Sequence, residues 1–202
     1  MLGIFLDQET SGLDSSKHCV LEIAFRIIDL ASGVQKAAYS SVLAHTKEVW
    51  EKRDPASITI NGFTWEDMQQ GKKEEEVAKE IRAIFKDVGI QRGKSVFICQ
   101  NPSFDRAFFT QLIDTYTQEK LFWPYHWLDF ASMYWALEIE KCMRTHQSIP
   151  DELKLSKDMI AKSLNLPKEA RPHRAMQGVD HLLLCYQNVV GFPESRPPER
   201  LE

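Results

Sequence analysis

Two carboxylates at the end of a buried strand constrain this chain more than any other feature. Gly3 to Leu6 is a short apolar run of the kind that forms an internal strand, and Asp7 and Glu9 follow it at i and i+2. Side chains alternate faces along a strand, so both acids project from the same face. Acids held side by side on a rigid element repel each other and need a cation between them. Oxygen ligation of this kind suits hard divalent ions such as Mg²⁺ or Mn²⁺. A solvated strand end with two ordinary acids is the alternative, and this stretch alone does not choose between them.

The chain has 202 residues, enough for one domain with a sizeable core and short for two. Its net charge of −4 excludes a general polyanion-coating surface, so any nucleic-acid footprint should be small and metal-assisted. Cys19, Cys99, Cys142 and Cys185 are widely spaced, with no Cys-x-x-Cys pair. That argues against a zinc site and a disulfide framework, and fits a reducing cytoplasm. Asp7 cuts the first apolar run short and no basic segment precedes it, so the start does not read as a signal peptide. No apolar run approaches the ~20 residues of a membrane helix. The expectation is a soluble cytoplasmic protein with one domain over residues 1–190. Residues 191–202, rich in Pro and charge, are expected to be a disordered tail, with Leu201-Glu202 read as an expression-vector remnant.

Along the chain, Val20 to Asp29 reads as a second strand, with Leu21, Ile23, Phe25 and Ile27 on one face. Ala31-Ser32-Gly33 signals a turn, and Ala37 to Ala44 closes a hairpin. Residues 47–62 read as mixed, with loop at Pro55 and Asn61-Gly62. Lys72 to Val88 has helical spacing. Ser95 to Cys99 is a continuously apolar fourth strand, followed by a helix expected from Pro102 to Tyr116 with Asn101 as its N-cap. Asp105 then lies in the first turn of a helix after a buried strand, where ligands of open α/β sheets bind. Helix capping is the other use for an acid there. Trp127 to Phe130 is a fifth strand, with helices near 131–143, 156–164 and 175–190.

These motifs resemble the DEDD (DnaQ-like) exonuclease superfamily in its histidine-bearing branch, which includes the proofreading epsilon subunit of bacterial DNA polymerase III, ribonuclease T and oligoribonuclease. The family pattern Asp-x-Glu-Thr-Thr-Gly stands here as Asp7-Gln8-Glu9-Thr10-Ser11-Gly12, and His-Asn-x-x-Phe-Asp as Gln100-Asn101-Pro102-Ser103-Phe104-Asp105. The third, His-x-Ala-x-x-Asp, is present in part as His173-Arg174-Ala175 with Asp180 after it. The resemblance implies an α/β fold of the ribonuclease H-like kind, a mixed five-stranded sheet with helices on both faces.

It also implies a 3′→5′ exonuclease that releases nucleoside 5′-monophosphates from single-stranded DNA or RNA ends by a two-metal mechanism with Mg²⁺ or Mn²⁺. By that analogy Asp7 bridges both ions, Glu9 and Asp180 complete one site, and Asp105 serves the other. His173 takes the proton from the attacking water, a task that suits a side chain with an ordinary pKa near 6.5. Thr10 and Gly12 approach the terminal sugar, Leu13 wedges the last base, and Asn101 and Phe104 support the second motif. Each has a structural alternative: a turn, core packing, an N-cap or, for His173, a surface loop. Arg174 and Lys168 could meet phosphates or lie in solvated surface.

The chain departs from the pattern twice. Gln100 replaces a histidine that is not a ligand in the family pattern. The position five residues after His173 is Gly178, and the nearest acid, Asp180, is seven after. On one continuous helix those two positions differ by about 200°. Asp180 therefore reaches the metals only if two extra residues are absorbed before the helix begins, with Gly178 as the irregular point. That is the reading preferred here. The rival is a lost ligand, which leaves a nucleic-acid-end binding module with impaired catalysis. A stand-alone enzyme is preferred to a polymerase partner, because only a dozen tail residues follow the last helix. Homodimerisation is common among the family's stand-alone members.

Overall fold

A computed structural model describes residues 1–152 and 154–195. Strands β1 (Leu2–Thr10), β2 (Val20–Asp29), β3 (Gln35–Val42), β4 (Ser95–Cys99) and β5 (Trp127–Asp129) form one sheet in the order β3-β2-β1-β4-β5. The β1/β2 and β2/β3 pairs are antiparallel, while β4 runs parallel to both β1 and β5. This is the mixed five-stranded sheet expected. The helices are α1 (Lys47–Glu51), α2 (Pro55–Asn61), α3 (Trp65–Gln70), α4 (Glu74–Val88), α5 (Pro102–Leu112), α6 (Thr115–Lys120), α7 (Phe130–Thr145), α8 (Lys157–Ser163) and α9 (Ala175–Val189).

β1 sits at the centre, and its alternation sorts the two cores. Ile4 and Leu6 pack with Ile23, Phe25 and Ile27 of β2 against Val77, Ile81 and Phe85 of α4 and Phe108 and Phe109 of α5. Phe5 points the other way, to Phe130 of α7, Ile160 of α8 and Val179, Leu182 and Cys185 of α9. Asp7 and Glu9 share the parity of Phe5, so they leave the sheet on the α8/α9 side. Their strand partners are Ala24 and Glu22, and the ladder shifts register between Glu9 and Thr10. β1 thus extends beyond Leu6 and carries both acids within it.

Three expectations are corrected. Residues 47–62, expected to be mixed with loop at Pro55 and Asn61-Gly62, hold two helices, and Pro55 and Asn61 lie within the second. Side-chain caps start both, Thr46 accepting from the Val49 N–H and Asp54 from the Ala56 N–H. The helix from Pro102 stops at Leu112, because Ile113 is extended and Asp114 opens α6 by accepting from the N–H groups of Tyr116 and Thr117. The tail is ordered at its start, where Phe192 is buried against Tyr186 at a ring separation of 5.7 Å and 193–195 form a 3₁₀ turn. The rest of the expected tail, 196–202, lies outside the described residues. All four cysteines are free thiols. Among the described residues no helix is long and apolar enough to cross a membrane.

Candidate active site

The acids of β1 meet the start of α5 at one end of the sheet. Asp105 is buried at 4% exposure in the first turn of α5. Burial is the main force on all three carboxyls; on Asp7 it is opposed by Lys157 and reinforced by Glu169, and Asp7 in turn repels Glu9 and Asp105. Asp7 is pushed up to about 6, Glu9 is pushed up to about 8 with Asp7 as its largest charged neighbour, and Asp105 is raised well above the usual carboxylate range. Glu22, opposite Glu9 in the ladder, adds to the repulsion on both β1 acids, and its Oε2 accepts the Ala175 N–H (2.8 Å) at the start of α9. Desolvated carboxylates that repel one another call for positive charge, and Lys157 supplies part of it at Asp7.

His173 lies between a cis Arg171-Pro172 bond and α9, and its N–H donates to the Ile60 carbonyl (3.1 Å) at the end of α2. It is close enough for its charge to act on Asp7. Beside Glu9 is a cavity of about 130 Å³, lined by Thr10, Leu13, Ser57, Ile60, Asn61 and Phe104 among others. Leu13 is 76% exposed above it, and the half-buried Phe104 ring is 4.8 Å from Phe108. Thr10 Oγ1 donates to the Gly12 carbonyl (2.8 Å). Gly12 lets the His18 ring close over the turn, since a Cβ there would fall within 2.5 Å of three ring atoms. Asn101 occupies the N-cap position in a left-handed conformation, but its side chain makes no capping bond and accepts from Ser103 Oγ instead (2.8 Å). Arg174 does not lie in free solvent: it donates to the Asn61 carbonyl (3.1 Å) and stacks 3.9 Å from the Phe63 ring centroid.

Asp180 does not join the acids. α9 is regular from Ala175, and the Gly178 N–H already bonds to the Arg174 carbonyl (3.0 Å), so no extra residues are absorbed before the helix. The half-turn offset then places Asp180 on the other face, paired with Arg26 of β2 at 2.5 and 3.1 Å. Gly178 faces the site: a Cβ there would lie 2.1 Å from Asp7 Oδ2. Two residues that the motifs do not mark fill the surroundings. Glu169 Oε1 would lie 3.1 Å from the same Cβ. Lys157, 8% exposed at the start of α8, donates to the Gly178 carbonyl (3.1 Å) and Glu169 Oε2 (2.9 Å), and its Nζ is 3.8 Å from Asp7 Oδ1. Desolvation weakens its charge, but the surrounding acids outweigh that and hold the ammonium more firmly protonated. The only sequence signal for these two was their place between the second and third motifs.

The family model for exonucleases of the ribonuclease T type matches residues 4–182. The chain belongs to this exonuclease family. No curated protein matches it in sequence. Among solved structures, the exonuclease fold is shared with E. coli Exonuclease I bound to a 5cy-dT13 oligonucleotide, at TM-score 0.72 and 16% identity over 94% of this chain and 40% of that one. It is shared also with cell-death related nuclease 4, at TM-score 0.68 and 12% identity over 94% and 63% of the two chains. A full-length 3′-exonuclease gives TM-score 0.69 and 11% identity over 94% and 60%. The chain therefore spans about 40% of the length of the Exonuclease I chain it matches. At these identities the likeness is one of fold.

The donor set fits a divalent cation in part. Asp7, Glu9 and Asp105 supply hard oxygen ligands under the repulsion that such an ion relieves. The side where the family places its fourth acid offers no α9 side chain, and an ammonium lies there. Among the described residues the group of three whose ligating atoms all lie within 4.8 Å of one another is Asp158, Glu169 and His181, whereas Asp7, Glu9 and Asp105 are more widely spaced. That group shares no member with the expected ligands.

Proposed function

We propose that this exonuclease is a metal-dependent 3′→5′ enzyme acting on single-stranded nucleic-acid ends and releasing nucleoside 5′-monophosphates. The observation that carries the reading is the electrostatic contact of Asp7 with both Glu9 and Asp105 beside a cavity of about 130 Å³. Mg²⁺ or Mn²⁺ held by these acids would supply positive charge to a phosphodiester as negative charge builds on it. The chain's own groups do the rest. Leu13 and Phe104 provide apolar surface for the last base, and Thr10 and Gly12 shape the backbone that meets the sugar. His173, anchored through Ile60, is the group that takes the proton from the attacking water. The Exonuclease I structures bound to dA16 and dT13 oligonucleotides support a single-stranded substrate.

A 5′-labelled single-stranded DNA and its RNA counterpart, incubated with Mn²⁺, test this. Wild type should give a ladder shortened from the 3′ end. Asp7→Ala should abolish it, and His173→Ala should slow it about 10²–10⁴-fold. Asp180→Ala should leave it unchanged, because that side chain is engaged with Arg26. The faster-degraded strand names the sugar.

A second reading, a binding module for nucleic-acid ends, is favoured by Gly178 and Lys157 standing where the family pattern has a carboxylate. Retention of the oligonucleotide without shortening at any Mn²⁺ concentration would select it.

A further inference from the structure

The family pattern calls for a fourth carboxylate five residues after the histidine, and this chain has Gly178 there with no side chain at all. The space has not been left open. The Asp7 carboxylate turns into it, so that a Cβ on Gly178 would meet Oδ2 at 2.1 Å and the carboxyl carbon at 2.6 Å. The Lys157 ammonium closes it from the α8 side, anchored by the Gly178 carbonyl itself at 3.1 Å and by Glu169 Oε2 at 2.9 Å. Lys157 is buried at the start of α8, and its partners are the backbone of α9 and Glu169 in the segment between the two helices. Its charge faces Asp7 Oδ1 at 3.8 Å.

A divalent ion bound to Asp7 from this side would need an oxygen within about 2.0–2.2 Å and a full shell of further donors. The ligand from α9 is missing, Glu169 is engaged by Lys157, and a like charge already occupies the approach. Ligand loss and charge insertion are separate features of sequence, at positions 178 and 157, and they meet at one point because the lysine uses the glycine's own carbonyl.

We propose that the Lys157 ammonium takes the place of one of the two divalent ions, so that this centre binds a single ion through Asp7, Glu9 and Asp105. This rests on the reading of those three acids as divalent-ion ligands. Lys157 is then the fixed cation of the site. It balances Asp7 and Glu169 whether or not a metal is present, and it makes the protein's metal requirement first order rather than second order in ion concentration.

Mn²⁺ alone is the probe, counted by the loss of the free-ion electron paramagnetic resonance signal on titration into the whole chain. Wild type should bind one Mn²⁺ per chain, and Asp7→Asn none. Lys157→Gln removes the charge and, being shorter, releases Glu169 as a further carboxylate beside Asp7, and should raise the count to two. Lys157→Arg should keep it at one. Two ions in wild type would overturn the inference while leaving the exonuclease reading intact. A count that stays at one in Lys157→Gln, with the far-ultraviolet dichroism of wild type, would overturn it as well. No bound Mn²⁺ in wild type would overturn both readings. The wild-type count decides even where a variant fails to fold.

Discussion

Gly178 shows how one absent side chain reorganises a site. A helical Gly→Ala change is ordinarily stabilising by up to about 1 kcal/mol. Here the new methyl group would land on the Asp7 carboxyl and would also lie 3.1 Å from Glu169 Oε1. Overpacking of this kind costs about 1–3 kcal/mol and outweighs the helical gain. Gly178→Ala is therefore expected to lower stability by about 1–2 kcal/mol, read as a lower urea midpoint at unchanged slope. A raised midpoint would mean that Asp7 swings aside freely. The acids of β1 and Asp105 were legible in sequence because strand parity and the turn after a buried strand are local. Asp180 was misassigned for a non-local reason. Two extra residues are absorbed only if the helix starts late, and Glu22, a strand residue far away in sequence, caps Ala175 and fixes the start early. Lys157 and Glu169 carry no motif, and only the packing of α8 beside α9 gives them meaning.

At the scale of elements, the site depends on where helices begin. Asp129 ends β5 and caps α7 through the N–H groups of Ala131 and Ser132, and the same Oδ1 accepts the N–H of Asn101 at 3.0 Å. One side chain therefore ties the left-handed residue ahead of α5, the helix that carries Asp105, to the start of α7. Loss of a helix cap costs about 1 kcal/mol, and leaving the Asn101 N–H without its partner adds to that. Asp129→Ala should destabilise the chain by about 1–3 kcal/mol and lower Mn²⁺ affinity with it. Equal destabilisation with unchanged Mn²⁺ affinity would show that Asp105 holds its place without this tie. The long elements were readable from periodicity. α1, α2 and α3 were not, because with 5, 7 and 6 residues they present no apolar stripe. Their real signals are caps: Thr46, Asp54 before Pro55, and the Thr64/Asp67 capping box.

For the whole molecule, two apolar layers hold a charged end of the sheet in a state that ordinary folding energetics would avoid. Asp7, Glu9 and Asp105 all have folded pKa values above their unfolded ones, chiefly through burial. An acid shifted upward binds its proton more tightly in the folded state. Stability from this source is therefore greatest below the unfolded values near 4 and is lost as pH rises through the folded values, about 6 for Asp7 and about 8 for Glu9. The slope is about 1.4 kcal/mol per pH unit for each proton by which the two states differ. Asp14, Asp29, Glu80 and Asp114 are shifted downward and act in the opposite sense, but they do so in the acid range, below this window. In chelator, the melting temperature should fall as pH is raised from 5.5 to 8. Mn²⁺ replaces the protons, so its stabilising effect should grow over the same interval. A metal-free melting temperature that rises with pH would mean that Lys157 balances Glu9 and Asp105 as well as Asp7, leaving no unmet charge for an ion to satisfy.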